Sequence, residues 1–448
     1  MDTAAQNMST ATDDIIQILN PSDCFTLAMD EEIRQENMPG SQCGFALELA
    51  SAPDSTAIEQ RIHEFSQRFP LVFASLQQRG KRFFWCQREH KHPLFHQHKT
   101  TDSSNEAEFH HQTVQQLLNH LQARETIPAL EFHLIQSANK NTFLMRWIHP
   151  FCDAKGADLI LRYLCTDDAE QRKQFDFPKL EPLVNQQLAK YRWWQKVLMF
   201  IKAKRYISQL DTLQSIIHAD TSKAPKQLNF KTFTLSIGQT QAINKLNRQH
   251  VGLTGGSLYY IGCFMRALNK MNPDQAGEAY CTPYAFNLRR NKALSPLLSN
   301  HVAPLFAQAP KSLLPDRAAL FQHLKQQNTN TIREKLDYAF LPIMWAASWL
   351  SLAQHGEKLR NSMRTGTDRS SFWFSDIGNV NLSNASFFNS DITKIYHLCQ
   401  ISSPPAIAFL SCQFNQQLTL SYNFIEPLFT EEQIEALHKN VLEELLTE

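Results

Sequence analysis

Glycine is scarce in this chain, with 13 residues among 448, and no stretch is rich in it. That excludes glycine-rich linkers and low-complexity architectures. Gly255-Gly256 lacks the Lys-Ser/Thr of a phosphate loop and reads as a helix-start turn. Excess charge is also missing. The formal net charge is +1, which gives no general reason to expect a nucleic-acid partner. The nine cysteines form no C-x-x-C pair, so an odd, scattered set argues against a disulfide framework and a zinc cage. The expected compartment is reducing and cytoplasmic. No serine sits in a G-x-S-x-G context, which argues against a serine hydrolase. Met1 to Asp14 is polar and acidic, unlike a secretory signal. Tyr338 to Ala353 is apolar but only 16 residues long and contains Pro342. A span needs about 20 residues, so a buried or interfacial helix is expected there. No fixed-period repeat is present.

What remains is globular: 43% hydrophobic, 19% charged and 30 Phe, a composition that suits a packed, aromatic-lined interior. The most informative stretch is Trp147-Ile148-His149-Pro150-Phe151-Cys152-Asp153-Ala154-Lys155-Gly156. An apolar run, Thr142 to Ile148, predicts a buried strand ahead of it, and Ala157 to Leu164 predicts a helix behind it. A strand that stops at His149 and turns into a helix holds an imidazole in place, and such a group suits general-base work on a hydroxyl or amine. Asp153 can orient the loop or meet a cation without touching substrate. The spacing alone favours a strand-end His bonded to a backbone carbonyl, with Asp153 as an ordinary helix N-cap.

Along the chain, strands and helices alternate in two α/β patterns. Thr56-Ala-Ile-Glu59 reads as a capping box for a helix whose apolar face is Ile58, Ile62, Phe65 and Phe69. Leu71 to Leu76 and Arg82 to Cys86 read as strands, and Glu106 to Leu121 as a helix. Leu130 to Ile135 pairs with Thr142 to Ile148 as a hairpin. The polar stretch 218–229, with Pro225, reads as a linker between an N-terminal half, 1–217, and a C-terminal half, 230–448. In the second half, Phe230 to Leu235, Tyr280 to Leu288, Phe372 to Asp376, Pro405 to Cys412 and Gln417 to Asn423 read as strands. Thr240 to Gln249, Ser257 to Lys270 and Glu431 to Leu445 read as helices.

Two segments admit more than one use. Tyr191 to Ile207 mixes Trp193, Trp194, Leu198, Phe200 and Ile201 with Arg192, Lys196, Lys202, Lys204 and Arg205. It suits either peripheral contact with an anionic membrane or a surface helix with snorkelling lysines. His90, His92, His96 and His98 share a short segment, but without an acidic or Cys partner at a recognised metal spacing no metal is expected.

The ordered motifs resemble the CoA-dependent acyltransferase superfamily. This group holds peptide-synthetase condensation domains, plant HxxxD acyltransferases and wax ester synthase-like enzymes. His149 to Asp153 resembles its HHxxxDG signature, and Asn20-Pro21-Ser22-Asp23 its opening "sp-D". Ala57 to Leu76 resembles its first helix and following turn. Val251-Gly252-Leu253-Thr254 resembles its "G-x-T" helix start, Tyr284 to Arg289 its "NLR" strand, and Phe374 to Asn379 its "vSNlG" strand. The set spans about residues 20 to 430. Departures are Ile148 for the first His, Ala154 for the Gly, Ser375-Asp376 for "SN", and the lack of the plant branch's DFGWG.

The resemblance implies two chloramphenicol-acetyltransferase-like α/β halves packed in a V with a central tunnel. It implies His149 as general base, Asp153 and Arg289 as a pair supporting the catalytic loop, and Ser375 near the substrate. The implied function is a stand-alone acyltransferase with no bound cofactor. Acyl-CoA or an acyl carrier protein supplies the thioester, and a hydroxyl or amine of a lipophilic acceptor receives the acyl group. A condensation-type amide synthase, or a binding protein that has lost catalysis, is the alternative on the same scaffold.

Overall fold

The computed structural model describes residues 15–80, 82–87, 93–101, 104–121, 128–175, 183–218, 225–252, 256–289, 297–354, 356–357, 369–382 and 385–448. Two mixed sheets dominate it. The larger has six strands, in the order Ser386–Phe387, Ser390–Cys399, Gln42–Leu49, Asn141–Ile148, Leu130–Gln136 and Phe95–Lys99. Only its last pair is parallel. The second sheet has the order Trp373–Asn379, Ile407–Phe414, Gln417–Glu426 and Gln227–Thr234. Two small antiparallel sheets flank these, one of Ile15–Ile18, Arg82–Gln87 and Ala74–Arg79, the other of Ala279–Asn287 and Val302–Pro310.

Asn141–Ile148 is buried along its whole length, because neighbours lie on both sides and side chains pack on both faces. Its hairpin with Leu130–Gln136 forms as the alternation predicts. Helices Gly256–Met271 and Glu431–Leu446 pack together over the second sheet. Phe264, Phe409 and Tyr422 form the aromatic centre of that core.

A long-range exchange joins the two patterns. Ser390–Cys399 belongs to the C-terminal part of the chain, yet it pairs antiparallel with Gln42–Leu49 in the N-terminal sheet. No local signal announces this strand, nor Gln42–Leu49, Val302–Pro310 and the helix Arg317–Arg333, none of which the sequence pattern predicted.

Several boundaries differ from expectation. Asp54, not Thr56, caps the first-motif helix, since its carboxylate accepts from the Thr56 and Ala57 amides. Leu71 to Phe73 lie in a 3₁₀ turn started by Pro70, and the strand begins at Ala74. The expected linker ends early, because Gln227 already pairs with Glu426; residues 219–224 of it lie outside the described set. Tyr338 to Ala353 breaks into Leu336–Ala339 and Leu341–Ala347, with Pro342 opening the second. Among the described residues no helix is long and apolar enough to cross a membrane.

Candidate active site

The chain reaches His149 at the end of the fully buried strand Asn141–Ile148. The His149 amide donates to the Ser41 carbonyl at 2.8 Å, and its own carbonyl accepts from Asn300 Nδ2 at 2.9 Å. The backbone is therefore fixed on both sides by residues far away in sequence. The imidazole faces a cavity of about 170 Å³. Its Nδ1 is buried and has no hydrogen-bond partner among the described residues. Burial holds the His149 pKa below the usual histidine value, against weaker support from its own backbone, Asp153 and Asn300. The ring is thus neutral and able to accept a proton at neutral pH.

Asp153 stands at the N-cap of helix Ala154–Leu164, its Oδ1 accepting from the Gly156 amide at 2.8 Å. The other oxygen leaves the loop altogether. It accepts from Arg289 Nη1 at 2.7 Å and from the His301 amide at 2.8 Å. Both partners of this ion pair are almost fully buried. Burial alone would raise the Asp153 carboxyl; the Arg289 charge and the bonds from Arg289 and His301 outweigh it and hold the pKa below the usual carboxylate range. The N-cap and the cation-bound alternatives for Asp153 are therefore both realised, by different oxygens.

Segment 297–301 is the clamp that sequence reasoning missed. The Ser299 amide donates to the Phe151 carbonyl at 2.7 Å, and Ser299 bridges Cys152. The Asn300 amide donates to Asp23 Oδ1 at 2.7 Å, which ties in the helix Pro21–Gln35. Asp23 also receives the Asn300 side chain and the Asn20 amide. Burial pushes its carboxyl up to about 7 in spite of those bonds. Gly156 allows the closest approach. A Cβ there would sit 2.2 Å from the Leu297 carbonyl oxygen, so only glycine fits.

Ser375, on the strand Trp373–Asn379, lines the same cavity as His149. Asp376 does not line it. Its carboxyl turns inward and accepts from Ser411 Oγ at 2.9 Å, Ser257 Oγ at 3.3 Å and the Gly378 amide at 3.0 Å. Burial raises its pKa. Ala154, where the motif has glycine, forms part of the cavity wall. Most of the remaining wall is apolar, including Phe25, Met29, Ile33, Trp373 and Leu410. Two further polar residues reach it from the exchanged strand Ser390–Cys399 and its end: His397 and Gln400. Both ring nitrogens of His397 and both amide atoms of Gln400 are buried without hydrogen-bond partners among the described residues. Burial presses the His397 pKa down to about 3, so this ring is neutral. Neither residue carries a local motif, and no signal in the sequence could have found them.

The histidine-rich segment lies elsewhere. His90 and His92 are outside the described residues. His96 stacks on His133 at 4.9 Å between ring centroids, and His98 Nε2 lies 3.2 Å from His133 Nδ1. Glu131 beside them is engaged by Arg146, which supplies the positive charge a metal would bring. Among the described residues no group of three or more His, Cys, Asp or Glu is arranged to hold a metal ion.

No protein-family model matches the chain, and no curated protein sequence does. Solved structures do. The first condensation domain of the calcium-dependent antibiotic synthetase superposes with a TM-score of 0.70 at 8% identity, covering 96% of both chains. The trichothecene 15-O-acetyltransferase of Fusarium sporotrichioides gives 0.66 at 11% identity, covering 95% of this chain and 94% of that one. The starter condensation domain of rhizomide synthetase in complex with C8-CoA gives 0.65 at 10% identity, covering 96% and 94%. The chain therefore has the two-half, chloramphenicol-acetyltransferase-like fold of condensation domains and CoA-dependent acyltransferases, and its motif-based resemblance to that group holds at the level of fold.

Proposed function

We propose that this protein is an acyltransferase, moving an acyl group from a CoA or carrier-protein thioester to a hydroxyl or amine. The observation that carries the proposal is His149: a neutral imidazole with a fixed backbone, facing a largely apolar cavity walled by both parts of the chain. In this reading His149 takes the proton from the acceptor as its oxygen or nitrogen attacks the thioester carbonyl. The tetrahedral intermediate collapses, the C–S bond breaks, and the departing thiolate takes the proton back from the imidazolium. The products are an ester or amide and a free thiol. No covalent enzyme intermediate and no bound cofactor enter the scheme. A general base contributes roughly 10²–10⁴-fold, so holding both substrates in line must supply much of the remaining rate enhancement.

Asp153 and Arg289 act in this proposal through the loop, not on substrate. They fix the turn that carries His149 against segment 297–301. In this reading Ser375, which lines the cavity, contacts the thioester or the developing oxyanion. The apolar wall favours a lipophilic acyl chain or acceptor, which ranks ester formation above amide formation. His397 and Gln400 supply a polar point of recognition within that wall. Buried polar groups left without partners are costly, and a ligand that bonds them recovers the cost. The acceptor is therefore amphipathic, apolar with at least one hydrogen-bonding group. The neighbour bound to C8-CoA supports an acyl-CoA donor for this scaffold.

The test is turnover with a panel of acyl-CoA and carrier-bound thioesters against hydroxyl and amine acceptors. Free thiol release and product masses are the readouts. Thiol release that requires both acceptor and His149 supports transfer. A His149→Ala protein as active as wild type removes the general base from the scheme.

A further inference from the structure

The helix Trp193–Leu210 is amphipathic in the reverse sense. Its inner side is set by Ala203, Tyr206 and Leu210, which are buried against Leu336, Ala339 and Phe340. Its outer side carries Trp193, 76% exposed, with Trp194, Val197, Leu198 and Ile201 between 45% and 57% exposed. These five occupy one face over the first three turns. Lys204 and Arg205, both exposed, continue that face in the following turn, and Arg192 precedes it. From Leu183 to Leu210 there are six Lys and Arg and no Asp or Glu, in a chain whose net charge is only +1. Lys202 is turned to the side, where it meets Glu334. The short helix Leu341–Ala347 packs on the same element, and Trp345 and Trp349 beside it are each about half exposed.

We propose that this face docks on an anionic phospholipid bilayer, with Trp193, Trp194, Val197, Leu198 and Ile201 entering the headgroup–acyl boundary and Arg192, Lys204 and Arg205 meeting lipid phosphates. An outward apolar face in water is a liability unless something covers it. A second copy of the chain seated symmetrically on it would bring like charges together around the contact. An anionic leaflet matches both the apolar stripe and the cations, and tryptophan favours that interface. The helix Pro21–Gln35 lies between this region and the cavity. Pro21, Cys24 and Leu27 line a groove with Trp345 and Trp349, while Phe25, Met29 and Ile33 line the His149 cavity. The helix Pro21–Gln35 thus separates that groove from the His149 cavity.

Vesicle sedimentation of the full chain tests this, with phosphatidylcholine alone and phosphatidylcholine mixed with phosphatidylglycerol, each at low and high salt. Binding is expected on the anionic vesicles at low salt and weakened at high salt. Each cation near the leaflet strengthens partitioning about fivefold, so Lys204→Gln with Arg205→Gln should weaken it by roughly twenty- to thirtyfold. Trp194→Ser with Leu198→Ser should abolish binding while leaving the thermal midpoint unchanged, because both residues are outside the core. His149→Ala should bind like wild type, which separates docking from the proposed chemistry. The proposal is overturned by absence of binding to anionic vesicles at low salt, or by equal binding of wild type and both surface variants. It is also overturned if the lipid-free protein is a dimer that the Trp194/Leu198 variant splits.

Discussion

At the scale of single residues, the site divides into a reacting group and the groups that hold it. The hydrogen bonds that fix His149 to Ser41 and Asn300 run through its backbone, so its side chain can be removed without loosening the fold. His149→Ala should lower kcat/KM by roughly 10²–10⁴-fold with an unchanged thermal midpoint. Because burial keeps the His149 pKa below its usual value, the ring stays neutral as pH falls to the ordinary histidine range. The kcat/KM profile should therefore be flat through neutrality and fall only at more acid pH; an acid limb centred above the ordinary histidine value of 6.5 would contradict the assignment.

Asp153 and Arg289 should behave in the opposite way. Each is buried, and removing either takes away the ion-pair partner of a buried charge. Asp153→Ala or Arg289→Ala should cost about 3–5 kcal/mol of stability as well as activity, measured by chemical denaturation. His397 and Gln400 give a third pattern. Their side-chain polar atoms have no hydrogen-bond partner among the described residues, so His397→Phe and Gln400→Leu should keep or raise the thermal midpoint while raising KM for the acceptor. A fall in stability with KM unchanged would mean that these groups serve the fold and not a ligand.

At the scale of elements, the decisive contact is the helix Ala154–Leu164 against segment 297–301. Gly156→Ala would drive a Cβ into the Leu297 carbonyl, so the clamp must move. Overpacking of this kind costs about 1–3 kcal/mol, and kcat should fall with it because the same segment bonds the His149 carbonyl. Gly238→Ala is the matched control. It lies in the helix Ile237–Val251, a Cβ there meets nothing within 4 Å, and the substitution should be neutral or stabilise by up to about 1 kcal/mol. The exchanged strand Ser390–Cys399 is the other such element. It completes the N-terminal sheet and delivers His397 to the cavity, so folding of the two parts of the chain is coupled through its pairing with Gln42–Leu49.

For the whole molecule, pH should act chiefly through buried histidines. Burial presses His110, His133, His218, His301 and His438 down to about 4, and His397 to about 3. Between those values and the ordinary histidine value of 6.5, the unfolded chain binds protons that the folded chain refuses. Stability therefore rises with pH across that window and is lost as pH falls through it. Asp23, raised to about 7, works against this, because the folded state keeps a proton that the unfolded state releases from 3.8 upward. Asp376, also raised by burial, acts in the same direction as Asp23. Six histidines oppose these two carboxyls, so the net sign follows the histidines. Denaturation midpoints should fall steadily on acidification below pH 6.5; a midpoint that stays constant or rises between there and pH 5, about halfway through the window, would show that these rings are not held neutral in the fold.

The sequence by itself determined the local parts of this site. The apolar run ending at His149, the cap at Asp153 and the helix behind it are encoded within a few residues, because strand periodicity, capping and turn chemistry are short-range forces. The ordered motifs carried further, to the two-half fold. The alternation in 130–148 was enough for the hairpin. It was not enough for the start of the first-motif helix, where Asp54 outcompetes Thr56 by geometry, nor for Leu71 to Phe73, where Pro70 imposes a 3₁₀ turn. Only the tertiary structure decided what closes around His149. Asn300 and His301 lie about 150 residues from the loop they clamp, and His397 and Gln400 reach the cavity through a strand exchange that no periodicity marks. Burial also shifts ionisation: it presses His397 to about 3 and raises Asp23 to about 7, though nothing in either residue's neighbours along the chain would do so. Desolvation and long-range pairing depend on what the whole fold brings near a group, and that is fixed only when the distant segments meet.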